Sequence, residues 1–104
     1  MYNVIVSESA KEDLKAAASY ISNELKNETA AKNLINAFNK TAISLSEMPE
    51  RFPIIDDDIL KKENIRFTQI NNYLLFYTVH RYSNSVFVLR FLYGRRNWES
   101  ILKI

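Results

Sequence analysis

The chain has 104 residues, 47% apolar and 25% charged, with a net charge of +2. This is ordinary usage for one folded domain spanning residues 1–104, long enough to bury a core without covalent staples. The absence of cysteine excludes disulfides and thiolate metal sites, no apolar run approaches the roughly 18–20 residues of a membrane span, and the N-terminus lacks the basic and long apolar regions of a signal peptide. A cytoplasmic location and no membrane partner are the expectations.

The first strand is Met1–Val6, with Tyr2, Val4 and Val6 on one face and Asn3 and Ile5 on the other. Ser9-Ala10-Lys11-Glu12 reads as a capping box, with Ser9 as N-cap and Glu12 reaching back. Ala10, Leu14, Ala17, Ile21 and Leu25 then form one helical stripe. Lys26-Asn27-Glu28-Thr29 breaks it and offers new caps. A second helix carries Leu34, Ala37, Phe38, Thr41, Leu45 and Met48 at helical spacing until Pro49 stops it. Two long helices with a short link predict an antiparallel hairpin.

After Pro49 the period changes. Glu50–Asp58, with Pro53 and three consecutive aspartates, reads as an irregular connection. Ile65–Ile70 is a strand, Asn71-Asn72 a tight turn, and Tyr73–His80 a second strand rich in aromatics. Arg81–Ser85 is a polar turn and Val86–Tyr93 a third strand. Strict alternation puts Val86, Val88, Arg90 and Leu92 on one of its faces and Phe87, Leu89, Phe91 and Tyr93 on the other, both largely covered. Gly94 ends the strand, and residues 97–102 make a short helix. The order is β-α-α-β-β-β with a helical tail: an α+β domain with a helix hairpin on a small, mainly antiparallel sheet.

Charge is unevenly placed. Residues 1–60 hold six basic and ten acidic side chains; residues 61–104 hold eight basic and two acidic. This predicts a basic C-terminal face for an acidic partner, or else a charged sheet edge. There is no phosphate-binding glycine loop, no cofactor motif and no metal constellation; Asp56–Asp58 reads as a solvated turn or an electrostatic partner of the basic half, and His80 as an ordinary strand-end residue. What stands out is arginine beside aromatics: Arg66, Arg90, Arg95 and Arg96 interleaved with Tyr73, Tyr77, Tyr93 and Trp98. Guanidinium forks bind phosphates and carboxylates, and aromatic rings stack on bases or anchor protein interfaces. Arg90 sits mid-strand on an apolar face and needs a partner: a groove, Glu99, or an aspartate of the Asp56–Asp58 loop.

Four segments together resemble ParE-type toxins of the RelE/ParE superfamily. They are Val6-Ser7-Glu8-Ser9-Ala10-Lys11-Glu12-Asp13-Leu14, Leu45-Ser46-Glu47-Met48-Pro49, Arg66 with the hairpin Asn72–Val79, and Val88–Trp98. The likeness spans essentially the whole chain in the family's element order. It implies a plasmid-stabilising type II toxin, neutralised in a hetero-oligomer by an antitoxin whose C-terminal segment wraps it. An extended or helical segment of it is expected to add to the sheet edge and lie along the helix hairpin, with Arg90 and Arg96 contributing salt-sensitive terms to an acidic antitoxin.

The superfamily implies two activities. ParE-like members inhibit DNA gyrase without a catalytic site. RelE-like members cut ribosome-bound mRNA with basic residues and no metal. The cutting members use basic residues on the second strand, an arginine after the hairpin tyrosine, an arginine after the last strand, and a C-terminal tyrosine. Here Arg66 and Arg96 fill two of about five roles, while Thr68, Leu74 and Leu102 stand where the others belong. Gyrase binding is therefore the preferred reading, and the chain leans away from being an enzyme. Target or antitoxin contacts are expected from Arg66, Tyr73, Arg90, Tyr93, Arg95, Arg96 and Trp98. In the alternative, a ribosome-dependent endoribonuclease, Arg66, Arg90, Arg96 and Tyr93 would act.

Overall fold

A computed structural model describes residues 1–102. Its elements are β1 (Asn3–Val6), α1 (Glu8–Ser19), a π-helical turn (Tyr20–Glu24), α2 (Glu28–Ser44), a 3-10 turn (Leu60–Glu63), β2 (Arg66–Ile70), β3 (Tyr73–His80), β4 (Ser85–Tyr93) and α3 (Trp98–Leu102). The α+β order matches the expectation. The sheet order is β1-β4-β3-β2, with β1 parallel to β4 and the other pairs antiparallel. Among the described residues no helix is long and apolar enough to cross a membrane.

The first helix is capped two residues earlier than the capping box predicts. Ser7, not Ser9, is the N-cap, and its Oγ accepts from the Ala10 amide at 3.0 Å. Ser7 wins because the same hydroxyl also donates to the Leu89 carbonyl at 2.8 Å, which joins the helix start to the sheet. Asn27 caps α2 by accepting from the Ala30 amide at 3.0 Å; such caps contribute about 1 kcal/mol each. The preceding Lys26 takes φ 54°, so the chain reverses there without a glycine. Helix α2 ends at Ser44, before Pro49 acts, and Met48 is exposed rather than part of the buried stripe. Asn71, at φ 54°, makes the hairpin turn between β2 and β3.

Both faces of the sheet are covered. On one, Ala10, Ala17, Leu34, Phe38 and Leu45 pack against Leu75, Tyr77, Val86, Val88 and Phe91. On the other, Phe76 and Leu92 are buried with Ile55, Leu60 and Ile65, and Leu74 and Trp98 pack against them. The Glu50–Asp58 connection thus leads into this second core. Asp57 makes its 3-10 turn possible by accepting from the Ile59 and Leu60 amides at 3.0 and 3.1 Å.

Strict alternation fails in β4. Tyr77 pairs with Val88 but Phe76 pairs with Arg90, which leaves Leu89 as an extra residue in a β-bulge. Val86 and Val88 face the helices before the bulge, and Phe91 does so after it, while Leu92 turns to the second core. A bulge that shifts the phase by one residue cannot be read from apolar periodicity when both faces are apolar.

Candidate functional site

The bulge decides the fate of Arg90. Its Nε and one terminal nitrogen donate to the two Asp13 carboxylate oxygens at 2.7 and 2.9 Å. The same carboxylate accepts from the Phe91 amide at 3.0 Å. Arg90 is thus paired with Asp13 of α1, not with Glu99 or the Asp56–Asp58 loop. The hydrogen bond from Asp13 raises the Arg90 pKa above its ordinary value, despite opposing desolvation. The Val88 and Leu89 carbonyls accept from the Ser7 amide and hydroxyl. Ser7 and Asp13 therefore satisfy the backbone groups that the bulge frees, and the Ser…Asp-Leu spacing of the opening segment acquires a structural meaning.

Arg66 is engaged as well. One guanidinium nitrogen donates to the carbonyls of Phe52 at 2.6 Å and Glu50 at 3.0 Å, and another lies 3.6 Å from the Glu50 carboxylate. Arg81 grips the same carboxylate, with its closest contact at 2.6 Å. Its hydrogen bond is the main reason the Glu50 pKa falls below the usual carboxylate value. Tyr77, on the same face as Arg66, donates its hydroxyl to the Pro49 carbonyl at 2.6 Å. Burial pushes its pKa up to about 12. Arg66 and Tyr77 thus tie the connection after α2 to the sheet.

The remaining candidates separate by face. Trp98 packs against Phe76 in the second core, with ring centroids 5.4 Å apart. Tyr73 and Tyr93 lie on the helix side in edge-to-face contact at 5.6 Å, and Tyr73 stacks on Phe91 at 5.1 Å. Arg95 and Arg96 follow in the exit turn, both exposed and without an ion pair among the described residues. The structure therefore brings together Tyr73, Tyr93, Arg95 and Arg96 at one end of the sheet, but not Arg66, Arg90 or Trp98.

That end holds a bent crevice. Its first arm, about 540 Å³, lies between the tip of the helix hairpin and the sheet and is lined by Tyr20, Ile21, Leu25, Asn72, Tyr73 and Tyr93. Its second arm, about 340 Å³, continues past Asn72 and Tyr93 to Gln69, Gly94 and Arg95. Gly94 sets the junction: its amide donates to the Asn72 carbonyl at 2.8 Å, and a Cβ there would stand 3.2 Å from the same oxygen. Burial, reinforced by Tyr93 and Tyr20, raises the Tyr73 pKa, so its hydroxyl remains a neutral donor through the physiological range. One arm is aromatic and the other polar and cationic. This combination suits an apolar anchor flanked by an acidic or amide-bearing group.

Tyr20 and Leu25 belong to this site: the sequence reading passed over Tyr20 and put Leu25 on the buried stripe of the first helix, whereas Leu25 lies beyond the π turn and is exposed. Tyr20 opens the π-helical turn, in which the Leu25 amide reaches back five residues to the Tyr20 carbonyl. A large aromatic outside the buried stripe was the available signal, and the π turn that carries it leaves no mark in periodicity.

The Leu74 side of the hairpin is different. Leu74, Phe76 and Leu92 are packed with Trp98, Ile101 and Leu102 of α3 into an apolar layer. No cation cluster can form there without rebuilding that core.

Known proteins share this architecture. In the chromosomal ParDE system from P. aeruginosa the solved chain superposes with a TM-score of 0.71 at 13% identity, covering 89% of this chain and 96% of that one. For the archaeal RelE–RelB complex from Pyrococcus horikoshii the TM-score is 0.60 at 16% identity, with 91% and 97% covered. For the isolated E. coli RelE toxin it is 0.57 at 17% identity, with 99% and 97% covered. No curated protein matches in sequence. At these identities the structures establish the fold alone. Residues 4–98, however, match the family described as the ParE toxin of the type II toxin–antitoxin system parDE, and the chain belongs to that family.

Proposed function

We propose that this toxin arrests growth by binding DNA gyrase through the tyrosine crevice and its arginine rim, and that a cognate antitoxin neutralises it in a hetero-oligomer. The observation that carries the choice of binding over cutting is the engagement of Arg66 and Arg90. Both guanidinium groups are committed to internal acceptors, Glu50 with Phe52 and Asp13 respectively. RNA cleavage without a metal needs a general base, cations on the scissile phosphate and an acid for the leaving oxygen, converging within hydrogen-bond reach of one phosphate. Among the described residues the arginines of the candidate set without a side-chain partner are Arg95 and Arg96, adjacent in one turn. Two neighbouring cations and Tyr93 hold a partner but lack the remaining groups for acid–base chemistry.

The chain would act in the cytoplasm, where gyrase and the antitoxin are found, and needs no cofactor for this role. The solved relatives include a RelBE toxin–antitoxin complex from E. coli and the ParDE system named above, which supports an antitoxin partner here. The test is induction of the chain in growing cells, with 5′ ends of translated messages and the DNA-damage response followed in one culture. Intact messages with gyrase-linked DNA breaks are expected. Cuts at fixed codon positions without DNA damage would overturn the proposal in favour of a ribosome-dependent endoribonuclease.

A further inference from the structure

The two arms of the crevice differ enough in chemistry to specify what enters them. Tyr20, Leu25 and Tyr93 are 54%, 57% and 42% exposed, and all three line the first arm. Large apolar side chains scattered singly over a surface need no explanation, but three that meet in one cleft mark a contact site. The tip that presents Tyr20 and Leu25 is closed by its own hydrogen bonds. The Leu25 amide donates to the Tyr20 carbonyl at 3.2 Å, and the Asn27 amide to the Ile21 carbonyl at 3.1 Å. Such wide turns recur at functional sites. Tyr73, the most covered of the three tyrosines, stacks one face on Phe91 and stands at 72° to Tyr93. These rings offer no parallel slot for a nucleobase, and Ile21 and Leu25 add aliphatic wall. An aromatic side chain, which packs well against ring edges, suits this arm. The second arm is different: amides from Gln69 and Asn72 and the guanidinium of Arg95 line it, and no carboxylate lines either arm. It suits an anion.

We propose that the crevice reads an exposed, extended segment of gyrase in which an aromatic side chain is followed two residues on by a carboxylate. Tyr20 selects the aromatic anchor and Arg95 selects the acid. The spacing follows from the shared wall: Asn72 and Tyr93 line both arms, so the arms adjoin. Side chains two apart on an extended segment point the same way, about 7 Å from each other, whereas neighbouring ones diverge. Gly94 at the junction keeps the passage between the arms free of a side chain. The aromatic anchor supplies most of the affinity, as buried aromatic side chains do at protein interfaces, and the Arg95–carboxylate pair supplies the choice between partners. The identity of the occupant rests on the gyrase reading; its chemistry rests on the crevice alone.

The test uses the purified full chain and three labelled peptides followed by fluorescence anisotropy. The first carries tryptophan and, two residues on, glutamate. The second has alanine in place of the tryptophan, and the third has lysine in place of the glutamate. The first is expected to bind about tenfold more tightly than either of the others. In Arg95→Glu the preference is expected to reverse, so that the lysine peptide binds better than the glutamate peptide; a misfolded chain could not produce that reversal. Tyr20→Ala is expected to bring the tryptophan and alanine peptides to within about threefold of each other. Tyr82→Ala, which removes an equally accessible aromatic from the turn at the opposite end of the sheet, is expected to leave the discrimination intact. Equal binding of the first peptide and either of the others would overturn the proposal. So would an Arg95→Glu chain that still prefers glutamate, or displacement of the bound peptide by an equimolar single-stranded RNA. Gyrase-linked DNA breaks on induction separate this proposal from the reading beneath it. A chain that causes those breaks but does not discriminate among the peptides loses the crevice chemistry and keeps gyrase. One that discriminates as expected but causes no breaks loses gyrase as the occupant.

Discussion

Removing the Asp13 carboxylate tests the central structural claim, that Arg90 holds the bulge together and does not serve a ligand. In Asp13→Ala three hydrogen bonds disappear, two from Arg90 and one from the Phe91 amide. The Asp13 and Arg90 side chains are 11% and 27% exposed, so the pair is largely but not fully withdrawn from water. Leaving the Phe91 amide without its partner costs about 1–3 kcal/mol. Losing the charged pair adds to this, moderated because Arg90 can partly rehydrate; a fully buried pair broken on one side costs about 3–5 kcal/mol. The expected loss is about 2–4 kcal/mol, which for a domain of this size lowers Tm by roughly 10–25 °C. Urea denaturation of wild type, Asp13→Ala, Arg90→Met and the double variant gives the cycle, with an expected coupling of about 1–3 kcal/mol. Growth arrest measured at a temperature where each variant is folded completes the assay. Coupling near zero would refute the structural role. A fully folded Arg90→Met protein that no longer arrests growth would refute the claim that Arg90 acts only inside the fold.

Tyr77 predicts an alkaline transition. Its folded pKa, raised to about 12, exceeds the value near 10 expected in the unfolded chain. The stabilisation is therefore complete below pH 10 and is lost as pH rises from about 10 to 12, by roughly 2–3 kcal/mol in total. Denaturation at a series of alkaline pH values should show this excess loss in wild type relative to Tyr77→Phe, and parallel curves would exclude Tyr77 as its source. Trp98→Ala should cost about 2–3 kcal/mol in a thermal melt, less than a fully buried tryptophan because Trp98 is only partly covered. A loss below 1 kcal/mol would mean that α3 does not seal the second core.

Much of the architecture was legible in the chain itself. The stripe Ala10, Leu14, Ala17, Ile21 and the stripe Leu34, Phe38, Leu45 defined two helices, because burial on one side repeats with the helical period. Asn71 marked the hairpin because asparagine accepts positive φ, and the run Val86–Tyr93 announced a strand covered on both faces. The four family segments, in order, also led to the toxin family. The site was legible only in part: Tyr73, Tyr93, Arg95 and Arg96 do share one end of the sheet, since the strand ends and turns that carry them are neighbours in a β-hairpin arrangement.

Tertiary structure decided the rest, because residue type does not specify partner. Arg66 and Arg90 look as available in sequence as Arg95 and Arg96, yet Asp13, 77 positions from Arg90, and Glu50, 16 positions from Arg66, engage them. The bulge at Leu89 changes which face each later residue takes, and it exists because Ser7 and Asp13 are placed to satisfy the groups it frees. Tyr20 enters the crevice through a π turn. Local period and propensity determine which elements form; pairing across long sequence separations determines which charges remain free to meet a partner.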